Sequence, residues 1–292
     1  MDQAEGAVGV MDSGVGGVSV LNALRFTLPW ENFVYISDGK NAPYGKKSAE
    51  QVRLAVIENA EYLLAIGCKA MVVACNTATA VAVEELRRRY PFVPVVGLEP
   101  AVRPALSYAL KNGGDVLVLA TDVTVRQTRF CSLCESCCRE LGGIWSGGGM
   151  GCDKSNRGNA PRVISLAAQE LVRFVENGET DSELCAEYLR GLLIPFSEMH
   201  FSAVVAGCTH FPFARGAILS ALGYNACFYD GALGASKRLE RLLNENKITR
   251  PHGAGEIGWI RWIDTAEREQ YAKRLRFITR QGVGAIKRKE LS

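Results

Sequence analysis

The stretch Ala70-Met71-Val72-Val73-Ala74-Cys75-Asn76-Thr77 runs an apolar segment into a cysteine and then into small polar residues. The stretch Ala203-Val204-Val205-Ala206-Gly207-Cys208-Thr209-His210 repeats the pattern in the second half of the chain. A short apolar run bounded by such residues reads as a buried strand that feeds the start of a helix. Two thiols at corresponding strand ends, one per half, are what chemistry on both faces of one carbon atom needs.

Outward from this pair, apolar runs alternate with amphipathic ones, the signature of parallel strands joined by crossover helices. Strands are expected at Val8–Met11, Phe33–Ile36, Ala70–Ala74, Val93–Gly97, Asp115–Ala120, Ala203–Ala206, Ala226–Tyr229 and Ile257–Ile263. Helices are expected at Ala49–Ile66, Thr79–Arg89, Ala101–Lys111 and Ala235–Leu243. The fold class is α/β. Because the cysteine strand recurs, the chain reads as two similar three-layer α/β domains with mostly parallel sheets, facing each other across a central cleft. One is expected over residues 1–98 and 212–292, the other over 99–211 with a Cys- and Gly-rich insertion at about 131–160.

Composition narrows the classes. With 292 residues, 48% hydrophobic and 22% charged, the chain can bury a sizeable core, which excludes disorder. The net charge of +3 is dispersed apart from Lys287, Arg288 and Lys289, so there is no stripe of the kind a nucleic acid would require. Met1-Asp2-Gln3-Ala4-Glu5-Gly6 lacks the parts of a secretory signal, and no apolar run approaches the roughly 18 residues of a membrane span. A cytoplasmic protein with no membrane partner is expected. Its ten cysteines then read as reduced thiols, catalytic groups or metal ligands rather than as a disulfide framework. Cys68, Cys185 and Cys227 look like small buried hydrophobes.

In parallel sheets the loops after the strands carry chemistry. Asp12-Ser13-Gly14-Val15-Gly16-Gly17 follows the first strand. Its glycines admit a ligand close to the backbone and its amides could hold an anion, though its spacing fits neither the dinucleotide fingerprint nor a P-loop. A structural Asx turn capping the helix is the alternative. Cys75 and Cys208 are each followed by hydrogen-bonding groups and by a helix start, where a thiolate is favoured.

These motifs carry a resemblance. Asp12-Ser13-Gly14-Val15-Gly16-Gly17, Pro43-Tyr44-Gly45, Ala74-Cys75-Asn76-Thr77-Ala78 and Gly207-Cys208-Thr209-His210-Phe211-Pro212 occur in the order found in glutamate racemases, within the aspartate/glutamate racemase superfamily. The match runs from about Val8 to Asp230. The resemblance implies a cofactor-independent enzyme that makes D-glutamate for peptidoglycan. Cys75 would deprotonate D-glutamate with help from Asp12, and Cys208 would deprotonate L-glutamate with help from His210 and Glu176. Ser13, Pro43, Tyr44, Gly45, Asn76, Thr77, Thr121, Thr124 and Thr209 match positions that hold the substrate. Asp38 is a weaker match, able to orient the Pro43-Tyr44-Gly45 loop. Taken alone, Glu176 reads as a solvated helix carboxylate.

The chain departs from the family at Ala168-Gln169, where a Cys-Pro pair is usual, and at Phe130, where a tyrosine is common. Cys131, Cys134, Cys137, Cys138 and Cys152 could ligate zinc or an iron–sulfur cluster. Alternatively, if Arg126–Leu141 is one helix, Cys131, Cys134 and Cys138 form a buried stripe. An aspartate racemase and a metal- or redox-sensing module therefore stand as rival readings. A pyridoxal-phosphate enzyme is disfavoured, since Lys40 and Lys46 flank the Pro43 loop without a phosphate-binding context. Glutamate is the expected partner, with no nucleic acid, and a homodimer is an open expectation.

Overall fold

The computed structural model describes residues 5–148, 160–253 and 255–266. It resolves into two compact units, one from Met1–Glu99 with Ala232–Ser292 and one from Pro100–Gly231. No helix among the described residues is long and apolar enough to cross a membrane.

The first unit is built on β1 (Val8–Asp12), β2 (Phe33–Ser37), β3 (Ala70–Val73), β4 (Val95–Gly97) and, from the far end of the chain, β10 (Ile260–Asp264). All pair in parallel, in the order β10-β2-β1-β3-β4. β1, β2 and β3 are buried along their whole length, as expected for strands covered on both faces. Helices α2 (Ala49–Ala65) and α3 (Asn76–Arg89) bury Val52, Val56, Leu63, Val83 and Leu86 against Val34, Ile36, Met71 and Val73. Helices α1 (Val18–Thr27) and α10 (Ala232–Glu245) pack on each other, with α10 reaching β3 and β4. Ser48 caps α2 in a reciprocal capping box with Gln51, which sets the start of that helix.

The second unit repeats the plan with β5 (Asp115–Ala120), β6 (Ile144–Gly148), β7 (Arg162–Ala167), β8 (Phe201–Gly207) and β9 (Cys227–Asp230), parallel in the order β6-β7-β5-β8-β9. Its helices are α4 (Val102–Asn112), α5 (Asp122–Arg126), α6 (Thr128–Leu141), α7 (Glu170–Asn177), α8 (Glu183–Leu193) and α9 (Arg215–Ala221). Asp115 anchors the sheet by accepting from the Arg162 backbone N–H at 2.8 Å and from its guanidinium at 2.6 and 3.1 Å.

The equivalence of the two sheets positions the chemistry. In each, the chain leaves the central strand, β1 or β5, toward one edge and the fourth strand in the order, β3 or β8, toward the other, so its direction reverses between the two; the second sheet differs in that β7, and not β6, lies beside the central strand. Such a reversal leaves a crevice at the carboxyl ends of the two strands, where ligands of open α/β sheets bind. Asp12 ends β1 and Cys75 follows β3; Thr121 follows β5 and Cys208 follows β8. The two cysteines therefore hold the same topological station.

Three expectations are corrected. The return to the first unit comes at Ala232 rather than near Pro212, because β9 hydrogen-bonds to β8 and keeps the intervening residues with the second unit. The segment taken as an insertion supplies a core helix, α6, and an edge strand, β6, and leads on to β7; Gly142 ends α6 in the left-handed region at φ 84°. The helix proposed for Arg126–Leu141 is interrupted at Gln127, whose backbone is extended (φ −78°, ψ 133°). Cys152 and most of the glycine-rich run lie outside the described residues, as do Lys287, Arg288 and Lys289.

The path into β10 depends on a close backbone approach. Gly258 donates its N–H to the Pro29 carbonyl at 2.8 Å, and a Cβ there would stand 2.0 Å from the Glu31 carbonyl oxygen. Backbone cannot move aside as a flexible side chain would. Gly258→Ala should therefore destabilise the first unit by about 1–3 kcal/mol or more, the scale of an overpacked core. Urea unfolding followed by tryptophan fluorescence reads this, since Trp30, Trp259 and Trp262 all belong to this unit.

Candidate functional site

In the first unit, Cys75 is the N-cap of α3, in extended conformation (φ −120°, ψ 122°), and accepts the first helical hydrogen bond from Thr79 at 2.8 Å. A sulfur at the amino end of a 14-residue helix feels its positive pole, which favours the thiolate. Helix α3 begins at Asn76, three residues earlier than the pattern predicts, so Asn76 and Thr77 occupy its first turn and are buried. The Asn76 amide donates to the Leu98 carbonyl at 3.3 Å, which fixes the side chain. Its Oδ1 is buried without a hydrogen-bond partner, an acceptor held at the crevice.

The loop after β1 contains an Asx turn: the Gly14 N–H donates to Asp12 Oδ2 at 3.0 Å. That turn does not cap α1, whose N-cap is Gly17 with no side-chain bond. Tyr35 donates its hydroxyl to the Gly14 carbonyl at 3.0 Å, pinning the loop from below. Gly17 permits this packing, because a Cβ there would lie 2.5 Å from Tyr35 Oη and 2.6 Å from Asp12 Cβ.

Asp38 proves to be a hub. Its carboxylate, 1% exposed, accepts from Tyr44 Oη at 2.6 Å, Thr265 Oγ1 at 2.7 Å, Asn59 Nδ2 at 3.2 Å and Asn41 Nδ2 at 3.0 and 3.1 Å. A buried carboxylate requires such donors. Burial, then the Asp38 charge and hydrogen bond, then Cys75 and Asp12, push the Tyr44 phenol far above its ordinary range. Tyr44 is thus held protonated and shares one electrostatic neighbourhood with Asp12, Asp38 and Cys75. Pro43 is exposed and Gly45 half-buried on either side of it, while Lys40 and Lys46 are exposed. Sequence reading missed Asn59 and Thr265. Asn59 left a signal: it is the polar member of the otherwise apolar α2 stripe Val52, Val56, Asn59, Ala60 and Leu63.

In the second unit, Cys208 follows β8 and precedes a 3-10 turn, Phe211–Ala214, with α9 starting only at Arg215. The expected helix start directly behind this thiol is therefore not there, because Pro212 and the 3-10 turn intervene. Positive charge comes instead from His210. Its Nδ1 lies 3.7 Å from Cys208 Sγ and its Nε2 lies 3.2 Å from Glu176 Oε1. Burial opposes charging this ring, but the Cys208 sulfur and the Glu176 carboxylate on its two sides hold its pKa well above the ordinary histidine range. Glu176, a solvated helix carboxylate by pattern alone, lies on α7 against the His210 ring, a contact that periodicity does not give. Thr121 caps α5, accepting from the Thr124 N–H at 3.3 Å, and the two hydroxyls lie 2.8 Å apart. Thr209 is buried just after β8, and Ser13 is buried in the first unit's loop.

A raised native pKa has a definite sign. The charged ring contributes stability in full below about pH 6.5, the ordinary histidine value, and loses it as pH rises through the native value. Glu176→Gln removes one of the two partners, so the His210 titration should move down toward the ordinary range. With three histidines in the chain, NMR of the ring resonances follows it directly.

The metal-ligand candidates of α6 are core residues. Cys134, Cys137 and Cys138 are buried with Phe130 against Leu106, Val118 and Val205, and Cys131 packs at their edge with its thiol donating to the Val125 carbonyl at 3.7 Å. Burial raises the Cys134 thiol and pushes Cys138 up to about 11, which opposes the thiolate a metal would need. Phe130 stacks edge-on against Trp145 at 5.9 Å, so its missing hydroxyl is a core feature.

Comparison with known proteins agrees with this geometry. A family model described as Asp/Glu/Hydantoin racemase matches residues 29–140. The chain is 38% identical over 241 residues to a glutamate racemase of Clostridium acetobutylicum, covering 82% of this chain and 85% of that one. The structure superposes on the glutamate racemase of Thermus thermophilus, solved with β-chloro-D-alanine, with a TM-score of 0.74 at 30% identity over 99% of this chain and 98% of that one. It also matches the Escherichia coli glutamate racemase, solved with L-glutamate and the activator UDP-MurNAc-ala, with a TM-score of 0.73 at 27% identity, covering 94% of each chain.

Proposed function

We propose, from the premise that this chain belongs to the glutamate racemase family, that Cys75 and Cys208 are the proton-transfer groups with which it interconverts L- and D-glutamate. Inversion at a carbon requires a base on one face and an acid on the other. Starting from D-glutamate, the Cys75 thiolate takes the α-proton and the Cys208 thiol delivers its own to the opposite face. The products are L-glutamate, a protonated Cys75 and a Cys208 thiolate, which is the starting state of the reverse reaction.

The observation that carries this reading is the identical station of the two cysteines, each after the fourth strand of its sheet and beside the switch point. The two thiolates are supported differently. Cys75 has the helix α3 amino terminus, with Asp12 ending the strand paired with β3; Cys208 has the imidazolium of His210, itself held by Glu176. Asn76 Oδ1 suits the substrate ammonium, and the hydroxyls and amides of Ser13, Thr77, Thr121, Thr124 and Thr209, with the Pro43-Tyr44-Gly45 loop, suit its carboxylates.

Proton transfer by a placed acid or base is worth about 10²- to 10⁴-fold, so charge stabilisation of the carbanion by these donors carries much of the remainder. We place the reaction in the cytoplasm, where the nine free cysteines of the described residues stay reduced, and assign its D-glutamate to peptidoglycan synthesis.

The test is incubation of the purified protein with L-glutamate and no added cofactor, followed by chiral chromatography. Equal amounts of the two enantiomers at equilibrium support the reading. Turnover of aspartate in preference to glutamate contradicts the substrate, and no turnover of either contradicts the activity.

A further inference from the structure

We propose that Thr265, beyond the last described strand, is a positioning residue for the Pro43-Tyr44-Gly45 loop, acting through Asp38. The proposal rests on the racemase reading, since it assigns that loop to substrate.

Thr265 extends the parallel pairing of β10 with β2, its N–H donating to the Ser37 carbonyl at 3.0 Å. Its hydroxyl accepts from the Lys40 N–H at 3.0 Å and donates to Asp38 Oδ1 at 2.7 Å. A hydroxyl has one proton, and accepting from Lys40 leaves that proton for the carboxylate. Tyr44 takes the other oxygen, Oδ2, at 2.6 Å. The carboxylate is thus spanned between the far end of the chain and the phenol of the loop. Asn41 donates to both oxygens from the loop's own base, and Asn59 donates to Oδ2. Thr265 is therefore the donor that ties Oδ1 to a strand outside the loop. Without it Oδ1 keeps only the longer bond from Asn41, at 3.1 Å, and the carboxylate that Tyr44 donates to is set less tightly.

Because Tyr44 lies in the loop assigned to substrate, the effect should fall on KM more than on kcat. Thr265→Val should raise KM for glutamate roughly tenfold, the size of one lost hydrogen bond to a charged group, with kcat changed less than about threefold. Thr265→Ser keeps the hydroxyl and should restore the parent KM. In a Tyr44→Phe background, Thr265→Val should cost nothing further, since coupled residues are not additive.

Three results would overturn the proposal: a KM unchanged in Thr265→Val, a serine variant as impaired as valine, or equal losses in both backgrounds. A melting temperature that collapses in Thr265→Val, with Thr265→Ala alike, also counts against it, because the role would then be to hold the strand. An inactive parent protein would instead remove the racemase reading itself, which separates the two failures.

Discussion

Cys75→Ala and Cys208→Ala are each expected to abolish racemisation of glutamate in both directions. In the proposed mechanism each turnover uses one sulfur as base and the other as acid, so losing either leaves a proton with no donor or no acceptor. Removing one such group costs about 10²- to 10⁴-fold, and the loss applies whichever enantiomer is supplied. The fold should persist. Both cysteines are buried but small, and neither anchors a strand: Cys75 contributes its carbonyl to α3, a bond that alanine keeps. Chiral chromatography at matched protein concentration, with circular dichroism as the control, measures the effect. Full turnover by either variant would remove the two-thiol assignment.

His210→Ala should lower kcat/KM by about 10²-fold or more, the low end for an assisting acid–base group. The loss must be equal in the two directions. L- and D-glutamate have the same free energy in water, so their kcat/KM values stay equal in any variant, even though His210 serves only the Cys208 side. The asymmetry shows elsewhere. Exchange of the α-proton of L-glutamate, which depends on Cys208, should slow more than exchange into D-glutamate, which depends on Cys75. Proton NMR in deuterated buffer separates the two. Equal slowing of both exchanges would mean that His210 acts on shared substrate binding and not on Cys208.

Much of this was legible in the residues. Val8–Met11, Phe33–Ile36 and Asp115–Ala120 are apolar runs of strand length between turn residues, and they became β1, β2 and β5 with ends shifted by at most a residue. The recurrence of the cysteine strand was a sound guide to two similar sheets. The errors have physical causes. Ile144–Gly148 is an edge strand ending in glycine, and glycine within a short run reads as loop. Arg162–Ala167, although apolar and buried at its centre, follows directly on the supposed insertion and was not among the expected strands. Cys134, Cys137 and Cys138 were weighed as ligands because cysteine is both a small hydrophobe and a metal donor, and only the neighbours of α6 distinguish the two.

Long-range partnerships were the least legible. Glu176 and His210 are 34 residues apart, and Asp38 and Thr265 are 227 apart. Pattern along the chain describes faces of helices and strands; it does not say which faces meet. Family resemblance supplied Glu176, whereas Thr265 had no such guide. The contrast between the two thiols, one at a helix terminus and one beside an imidazolium, also needed the structure, since the 3-10 turn that contains Pro212 displaced the helix expected behind Cys208.

The central claim is that the two sulfurs divide the two faces of one α-carbon between them. Deuterium incorporation by the single-cysteine variants tests it most directly. In deuterated water Cys208→Ala, which keeps Cys75, should label D-glutamate alone, and Cys75→Ala, which keeps Cys208, should label L-glutamate alone, with no inversion in either case. Label appearing in both enantiomers with a single variant would contradict the claim.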